Sequence, residues 1–295
     1  MTNSRNPLRL IVVVALCIAV TLAAGCSALR LGYGQADKFL YYWLDSYVDF
    51  DDAQAPRVRE AIANWFQWNR RTQLNDYADL LGRIEADTRA DTTPERVCGW
   101  WKEVRSRIDR SVEQAVPSIA ELAATLKPEQ VEHIAQKQAK SAKEFRDEFM
   151  QSDMTLRRSE ALKRSISRHE TLYGALDPFQ KERLERLVAE SPFDPQLAYD
   201  ELRRRQKEAL QSIRQLAGRQ MDSANAQSIV RGYLKRIDPP PQESYRQHNE
   251  RMIQHNCRLF ASVHNMASPE QRQFAAKKLR GWADDLRALA VEPAG

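Results

Sequence analysis

Five times in this chain a proline opens what reads as a helix: Thr93-Pro94-Glu95, Lys127-Pro128-Glu129-Gln130, Asp177-Pro178-Phe179-Gln180, Asp194-Pro195-Gln196 and Ser268-Pro269-Glu270-Gln271. The device is physically specific. Thr, Asp and Ser oxygens accept the free amide protons of a first helical turn. Proline at the first helical position gives up no hydrogen bond, because its N–H would be unpaired there. An early glutamate complements the positive end of the helix dipole, and a glutamine at the third position reaches back to the N–H of the cap residue. Lys127 breaks the pattern, and that start is expected to be the weaker one. Phe50-Asp51-Asp52-Ala53-Gln54 is a proline-free version, with Asp51 or Asp52 as the cap. With only 10 glycines in 295 residues, the chain leans helical throughout.

Apolar spacing supports helices after these starts. Phe39, Leu40, Trp43, Leu44, Tyr47 and Val48 are expected to line one face of a first helix. Val58, Ile62 and Trp65, then Tyr77, Leu80, Leu81 and Ile84, read as one long second helix. A third carries Val97, Trp100, Trp101, Val104, Ile108 and Val112, and Pro117 is expected to kink or end it. Val131, Ile134 and Phe145 follow Pro128. Ile213 and Leu216 close a helix stopped by Gly218. Further helices hold Cys257 and the run from Phe274 to Leu289. The strongest linker is Asp238-Pro239-Pro240-Pro241. Gln54, Gln130, Gln180 and Gln271 occupy similar places in their starts, but gaps of 76, 50 and 91 residues are not a solenoid period. The fold class expected is all-α, a multi-helix bundle of about eight to ten helices.

The first residues are of another kind. Arg5 and Arg9 precede an uncharged run from Leu10 to Ala24, and small residues Ala23, Ala24 and Gly25 lead to Cys26. At 15 residues the run is short for a membrane span, which needs about 20. A positive flank, an apolar middle and small residues before a cut are the parts of an export signal. Leu22-Ala23-Ala24-Gly25-Cys26 resembles the lipobox of bacterial lipoproteins. That resemblance implies acylation of Cys26, cleavage on its amino side and a second acylation. Several acyl chains on one residue make a lasting anchor, where one chain is marginal. Ser27, rather than Asp, after the cysteine implies the outer membrane by the lipoprotein sorting rule. The expected boundaries are a signal peptide over 1–25, a lipidated tether over 26–34, one helical periplasmic domain over 35–290 and a disordered tail over 291–295. Loss of Arg5 and Arg9 with the leader takes the formal net charge from +5 to +3, a near balance that gives no support to nucleic-acid binding.

Cys17 leaves with the signal and Cys26 carries lipid, so Cys98 and Cys257 remain in an oxidising compartment, where pairing is the default. Their bridge would tie an early helix to a late one.

The run Cys26-Ser-Ala-Leu-Arg-Leu-Gly-Tyr33, followed by Trp43-Leu-Asp-Ser-Tyr-Val-Asp-Phe-Asp-Asp-Ala-Gln54, resembles the start of an uncharacterised lipoprotein family of Gram-negative bacteria. The likeness extends through His264-Asn265-Met266 and Pro269-Glu-Gln-Arg272, and it implies no assigned activity. A looser resemblance joins the Leu-x-Pro-x-Gln starts at Leu126 and Leu176 to the Leu-Thr-x-x-Gln motifs of periplasmic stress proteins of the Spy and CpxP kind. It implies an all-helical cradle that shields unfolded clients.

Chemistry-bearing patterns are scarce. The chain holds no Gly-x-Ser-x-Gly, Gly-x-Gly-x-x-Gly, phosphate-loop or His-Glu-x-x-His sequence. His248 and His255 are seven apart, about 10 Å along a helix, too far for one metal to bridge directly. Asp45, Asp49 and Asp52, with Asp51, form the densest acidic cluster, a conceivable cation site but more simply a set of caps. Arg157 and Arg158 open one basic run, and Arg203, Arg204 and Arg205 another; on one side of the molecule they could meet an anionic polymer or lipopolysaccharide. Trp65, Trp68, Trp100 and Trp101 could form a sticky groove. The expectation is a non-enzymatic envelope protein without cofactor or metal, attached to the membrane through Cys26. It would bind other proteins, in a chaperone-like way. The alternatives are an assembly factor using a basic helical face, and an enzyme whose site forms only in three dimensions.

Overall fold

The computed structural model describes residues 28–219 and 221–292, and the signal segment and Cys26 lie outside them. Twelve α-helices make up the described residues: α1 (Ala28–Gly34), α2 (Ala36–Val48), α3 (Gln54–Thr72), α4 (Leu74–Asp87), α5 (Pro94–Ala124), α6 (Pro128–Phe149), α7 (Met154–Tyr173), α8 (Pro178–Ala189), α9 (Pro195–Leu216), α10 (Ser223–Lys235), α11 (Glu243–Met266) and α12 (Pro269–Val291). The all-α class stands, and the count exceeds the eight to ten expected.

All five proline starts open helices, and each proline sits in the first turn. Thr93, Asp177, Asp194 and Ser268 each accept a first-turn amide. Lys127 has no acceptor to offer, and only the reciprocal half of its cap forms: its N–H donates to Gln130 Oε1 at 3.0 Å. Asp51, not Asp52, caps α3, accepting from the N–H groups of Ala53 and Gln54 at 3.0 and 2.9 Å. At the other end of a helix, Gly218 takes φ +66°, a value that L side chains rarely adopt, and α9 stops there.

The extra helices have identifiable causes. The stretch read as one long helix divides at Gln73 into α3 and α4. Residues 28–34 form α1, with Leu29 and Tyr33 packed on the core shared by α4 and α12. α7 and α10 begin at Asp153 and Asp222, which cap them without a following proline. Pro117 does not end the third helix, and α5 continues through it to Ala124.

α5 is the spine. At 31 residues it is about 46 Å long. Its first half meets α11 through the Cys98–Cys257 disulfide and the edge-to-face pair Trp100–Phe260. Its second half packs Val116 and Ala120 against Leu216 of α9 and Val230 of α10. Buried apolar side chains gather in several separate clusters: α4 with α12, α7 and α8 with α11 and α12, α2 with α3, and α6 with α2 and α9. In α2, Leu40, Leu44, Tyr47 and Val48 pack as their spacing suggests, but the buried face is shifted to include Tyr41. Tyr41 faces α3, while Phe39 and Trp43 stand in solvent.

Four glutamines form a device that their spacing hides. Gln54 and Gln130 lie side by side, each donating to the other's Oε1, at 3.1 and 2.7 Å. Each Oε1 also accepts its own cap residue's N–H, from Asp51 and Lys127. Each Nε2 donates onward to a main-chain carbonyl, Thr125 and Asp49 respectively. Gln180 and Gln271 repeat the arrangement: mutual bonds at 2.7 and 3.0 Å, cap N–H groups of Asp177 and Ser268, and carbonyls of Met266 and Ala175. Two pairs of helix starts, α3 with α6 and α8 with α12, are thus each locked by six hydrogen bonds between two fully satisfied primary amides and their surroundings.

Candidate functional site

Along one face of α5, Trp101, Val104, Ile108, Val112, Ala115 and Ile119 recur every three or four residues. That spacing is the apolar stripe of a helix that buries a face, yet Trp101, Ile108, Val112 and Ile119 are each 37–44% exposed. From Val104 to Ile119 the stripe forms one wall of a groove of about 510 Å³, with Trp65 of α3 and Tyr77 and Leu81 of α4 on the other side. A thread of hydrogen bonds fixes its floor. Tyr33 donates to Asn69 Oδ1 at 2.8 Å, and Asn69 Nδ2 donates to the Tyr77 hydroxyl at 3.2 Å. The Tyr77 and Ser111 hydroxyls are 2.8 Å apart, Ser111 Oγ donates to the Arg107 carbonyl, and Trp65 Nε1 donates to the Ser111 carbonyl at 2.9 Å. Burial pushes the Tyr33 hydroxyl up to about 12, with the Arg70 guanidinium opposing.

One charge borders the groove. Arg107 donates to Asp76 Oδ1 at 2.7 Å and to the Glu103 carbonyl at 2.9 Å, and its Nε is buried without a partner. Burial raises the Asp76 carboxyl, but the Arg107 and Arg110 guanidiniums outweigh it and hold the group below the usual carboxylate range. The lining therefore presents mostly apolar surface, with its polar groups engaged apart from Arg107 Nε, the composition of a site for an apolar ligand.

A wider cleft of about 1080 Å³ runs between α4 and α12. Its charges answer one another: Glu85 meets Arg89 and Arg280, and Arg272 meets Asp91. The apolar groove is the better candidate, because a ligand there displaces water from apolar surface and breaks no ion pair.

The residues singled out from the sequence are scattered. Cys98 and Cys257 are joined, with Cα atoms 5.5 Å apart. Asp45 accepts from the Phe50 N–H, Asp49 closes α2 in a left-handed conformation at φ 63°, and Asp52 lies exposed. Among the described residues no three His, Cys, Asp or Glu side chains converge to hold a metal, so the acidic cluster is a set of helix ends. Arg157 leans on Met154 and Arg158 faces solvent on α7. In the second run, Arg204 and Arg205 are engaged within the fold. Both grip Glu201, which is 2% exposed, at 2.6–2.7 Å, and Arg204 also holds Glu208 at 2.6 Å. They donate as well to the carbonyls of Arg236 and Ile237, fastening the segment after α10, while Arg203 donates to Gln206. Among the tryptophans, Trp65 lines the groove, Trp68 leans on Trp65, Trp100 is buried with its Nε1 on Asp87, and Trp101 is exposed. Arg107 and the Tyr33–Asn69–Tyr77–Ser111 thread went unnoticed in the sequence, where only the α5 spacing hinted at them.

Among the described residues, an all-α fold stapled by the Cys98–Cys257 disulfide, with an open apolar groove on its longest helix, defines the structural class. The chain belongs to the family of unknown function DUF6279, whose match covers residues 46–220 and so spans α3–α9 and all of the groove. No curated protein and no solved structure is matched by the chain.

Proposed function

We propose that this protein is a lipid-anchored envelope factor that binds apolar segments of other proteins in the groove between α3, α4 and α5, without catalysing a reaction. The observation that carries the reading is the α5 stripe: helically spaced apolar residues, open to solvent, above a polar thread whose partners are all within the protein. An amphipathic or unfolded client segment offers the complementary surface. The export signal and the lipobox ending at Cys26 support an envelope location, and Ser27 favours the outer membrane. No helix among the described residues is long and apolar enough to cross a membrane. In this reading the lipid on Cys26 makes the attachment.

The test is suppression of aggregation of a reduced, unfolded client by the mature protein. Ile108→Asp places a charge in the groove at a position 44% exposed, where the fold tolerates it. Wild-type suppression that the substitution abolishes supports the reading. No suppression at several-fold molar excess, or equal suppression by Ile108→Asp, sinks it. The basic-face alternative loses ground, since Arg204 and Arg205 are engaged with Glu201.

A further inference from the structure

The surface of residues 28–48 is unlike that of the rest of this chain, of which 29% is charged. Ten residues there are exposed: Ala28, Leu31, Gly32, Gly34, Gln35, Lys38, Phe39, Tyr42, Trp43 and Ser46. Lys38 is the one charge among them, and it is basic. Six large apolar side chains in the described residues are at least 60% exposed, and four of them are Leu31, Phe39, Tyr42 and Trp43. A fifth, Val291, sits next to Glu292, which pairs with Arg30 of α1. Phe39, Tyr42 and Trp43 follow the spacing of a single helix face. The opposite side of α2 is occupied: Leu40, Tyr41 and Leu44 pack on α3, and Arg59 lies over the Tyr41 ring at 3.9 Å.

The place of this patch in the chain says what covers it. Ala28 is two residues from Cys26, so the start of α1 is at most about 7 Å from the cysteine. Tryptophan and tyrosine favour the headgroup level of a bilayer, where an apolar ring and a polar edge are both satisfied. A lone basic residue suits an anionic leaflet.

We propose that the exposed face of α1 and α2 lies on the bilayer surface, with Phe39, Tyr42 and Trp43 seated at headgroup depth. The protein would then be oriented by its first two helices rather than swinging on its lipid. This rests on the lipid anchor at Cys26 proposed above. Docking fixes which way the α5 groove opens relative to the membrane.

The experiment uses the full mature protein extracted from envelopes and reconstituted into phosphatidylethanolamine–phosphatidylglycerol vesicles, with acyl chains brominated near the headgroup or left unbrominated. Trp43 emission is isolated as the difference between wild type and Trp43→Phe. Mass spectrometry of the N-terminal peptide reports the acyl chains independently. The expected result is an acylated Cys26, a blue-shifted Trp43 signal and loss of most of that signal in brominated vesicles. An acylated protein that floats with the vesicles while Trp43 stays unquenched overturns the docking and leaves the anchor standing. Cross-linking between copies at position 43 in that case assigns the face to a second molecule. An N-terminal peptide without acyl mass removes the anchor, and the docking falls with it.

Discussion

Replacing Gln130 by alanine is the sharpest probe of the fold. The Gln130 amide makes four hydrogen bonds: from the N–H of Lys127 and from Gln54 Nε2, and to the Asp49 carbonyl and Gln54 Oε1. Deleting it does not orphan all four partners. Gln54 Oε1 keeps the Asp51 N–H, and Gln54 Nε2 keeps the Thr125 carbonyl at 2.9 Å. The Lys127 N–H and the Asp49 carbonyl lose the bonds to Gln130. With an unsatisfied buried polar group costing about 1–3 kcal/mol, two such groups put the expected loss at about 2–6 kcal/mol. The same reasoning applies to Gln54→Ala. Because the two residues share two of these bonds, the double variant is expected to lose less than the sum, by about 1–2 kcal/mol. Gln54→Ala with Gln180→Ala joins residues from separate locks and is expected to be additive within about 0.5 kcal/mol. Urea unfolding of the disulfide-intact protein measures all of these. A loss below about 1 kcal/mol for Gln130→Ala would refute the argument, because it would mean that water replaces the amide freely. Strict additivity of Gln54→Ala and Gln130→Ala would refute it too, because it would mean that the two side chains do not bond to each other.

Other consequences are open to direct measurement. Reduction of Cys98–Cys257, which closes a loop with a sequence separation of 159, is expected to cost about 5 kcal/mol on the chain-entropy account, read as a lower urea midpoint in reductant. Glu201→Gln leaves Arg204 and Arg205 without their buried carboxylate and is expected to cost about 3 kcal/mol in thermal or urea unfolding; an unchanged midpoint would show that Glu208 suffices. Burial, the largest cause at each site, holds His169, His248, His255 and His264 below the ordinary histidine value of 6.5. Their neutral forms belong to the folded state, so the stability they contribute is full above about pH 6.5 and is lost as the pH falls below it. Carboxylates held below 4.5, such as Glu201, act in a lower window, so a urea midpoint that falls between pH 7 and pH 5 reports the histidines. His264, between the Tyr173 hydroxyl and the Ala90 carbonyl at 2.8 Å each, is expected to contribute to that slope, which His264→Gln should flatten; a midpoint flat over this range would contradict the assignment.

Legibility followed the range of the forces involved. Helix starts are local: the cap oxygen, the proline and the first-turn amides lie within four residues, so Thr93, Asp177, Asp194 and Ser268 could be read one window at a time. Asp153 and Asp222 act by the same local chemistry but lack the proline that marked the others, and α7 and α10 were missed with them. The cysteine pair was legible by elimination and compartment rather than by geometry. Apolar spacing told which residues share a helix face, but not whether that face would be covered. Trp43 and Ile108 sit in periodic runs as regular as that of Leu279 and Leu286, yet the first two remain open and the last two are buried.

The sequence by itself determined an all-helical chain and the positions of its five proline starts, because caps and first turns are decided by atoms a few bonds apart. Tertiary structure alone decided that Gln54 meets Gln130, that Gln180 meets Gln271, that Arg204 and Arg205 turn inward onto Glu201, and that the α5 stripe is left as a groove. Each of those contacts joins helices, or sets a side chain against a neighbouring helix, and which helix lies alongside is fixed only when the buried faces of all of them are satisfied together.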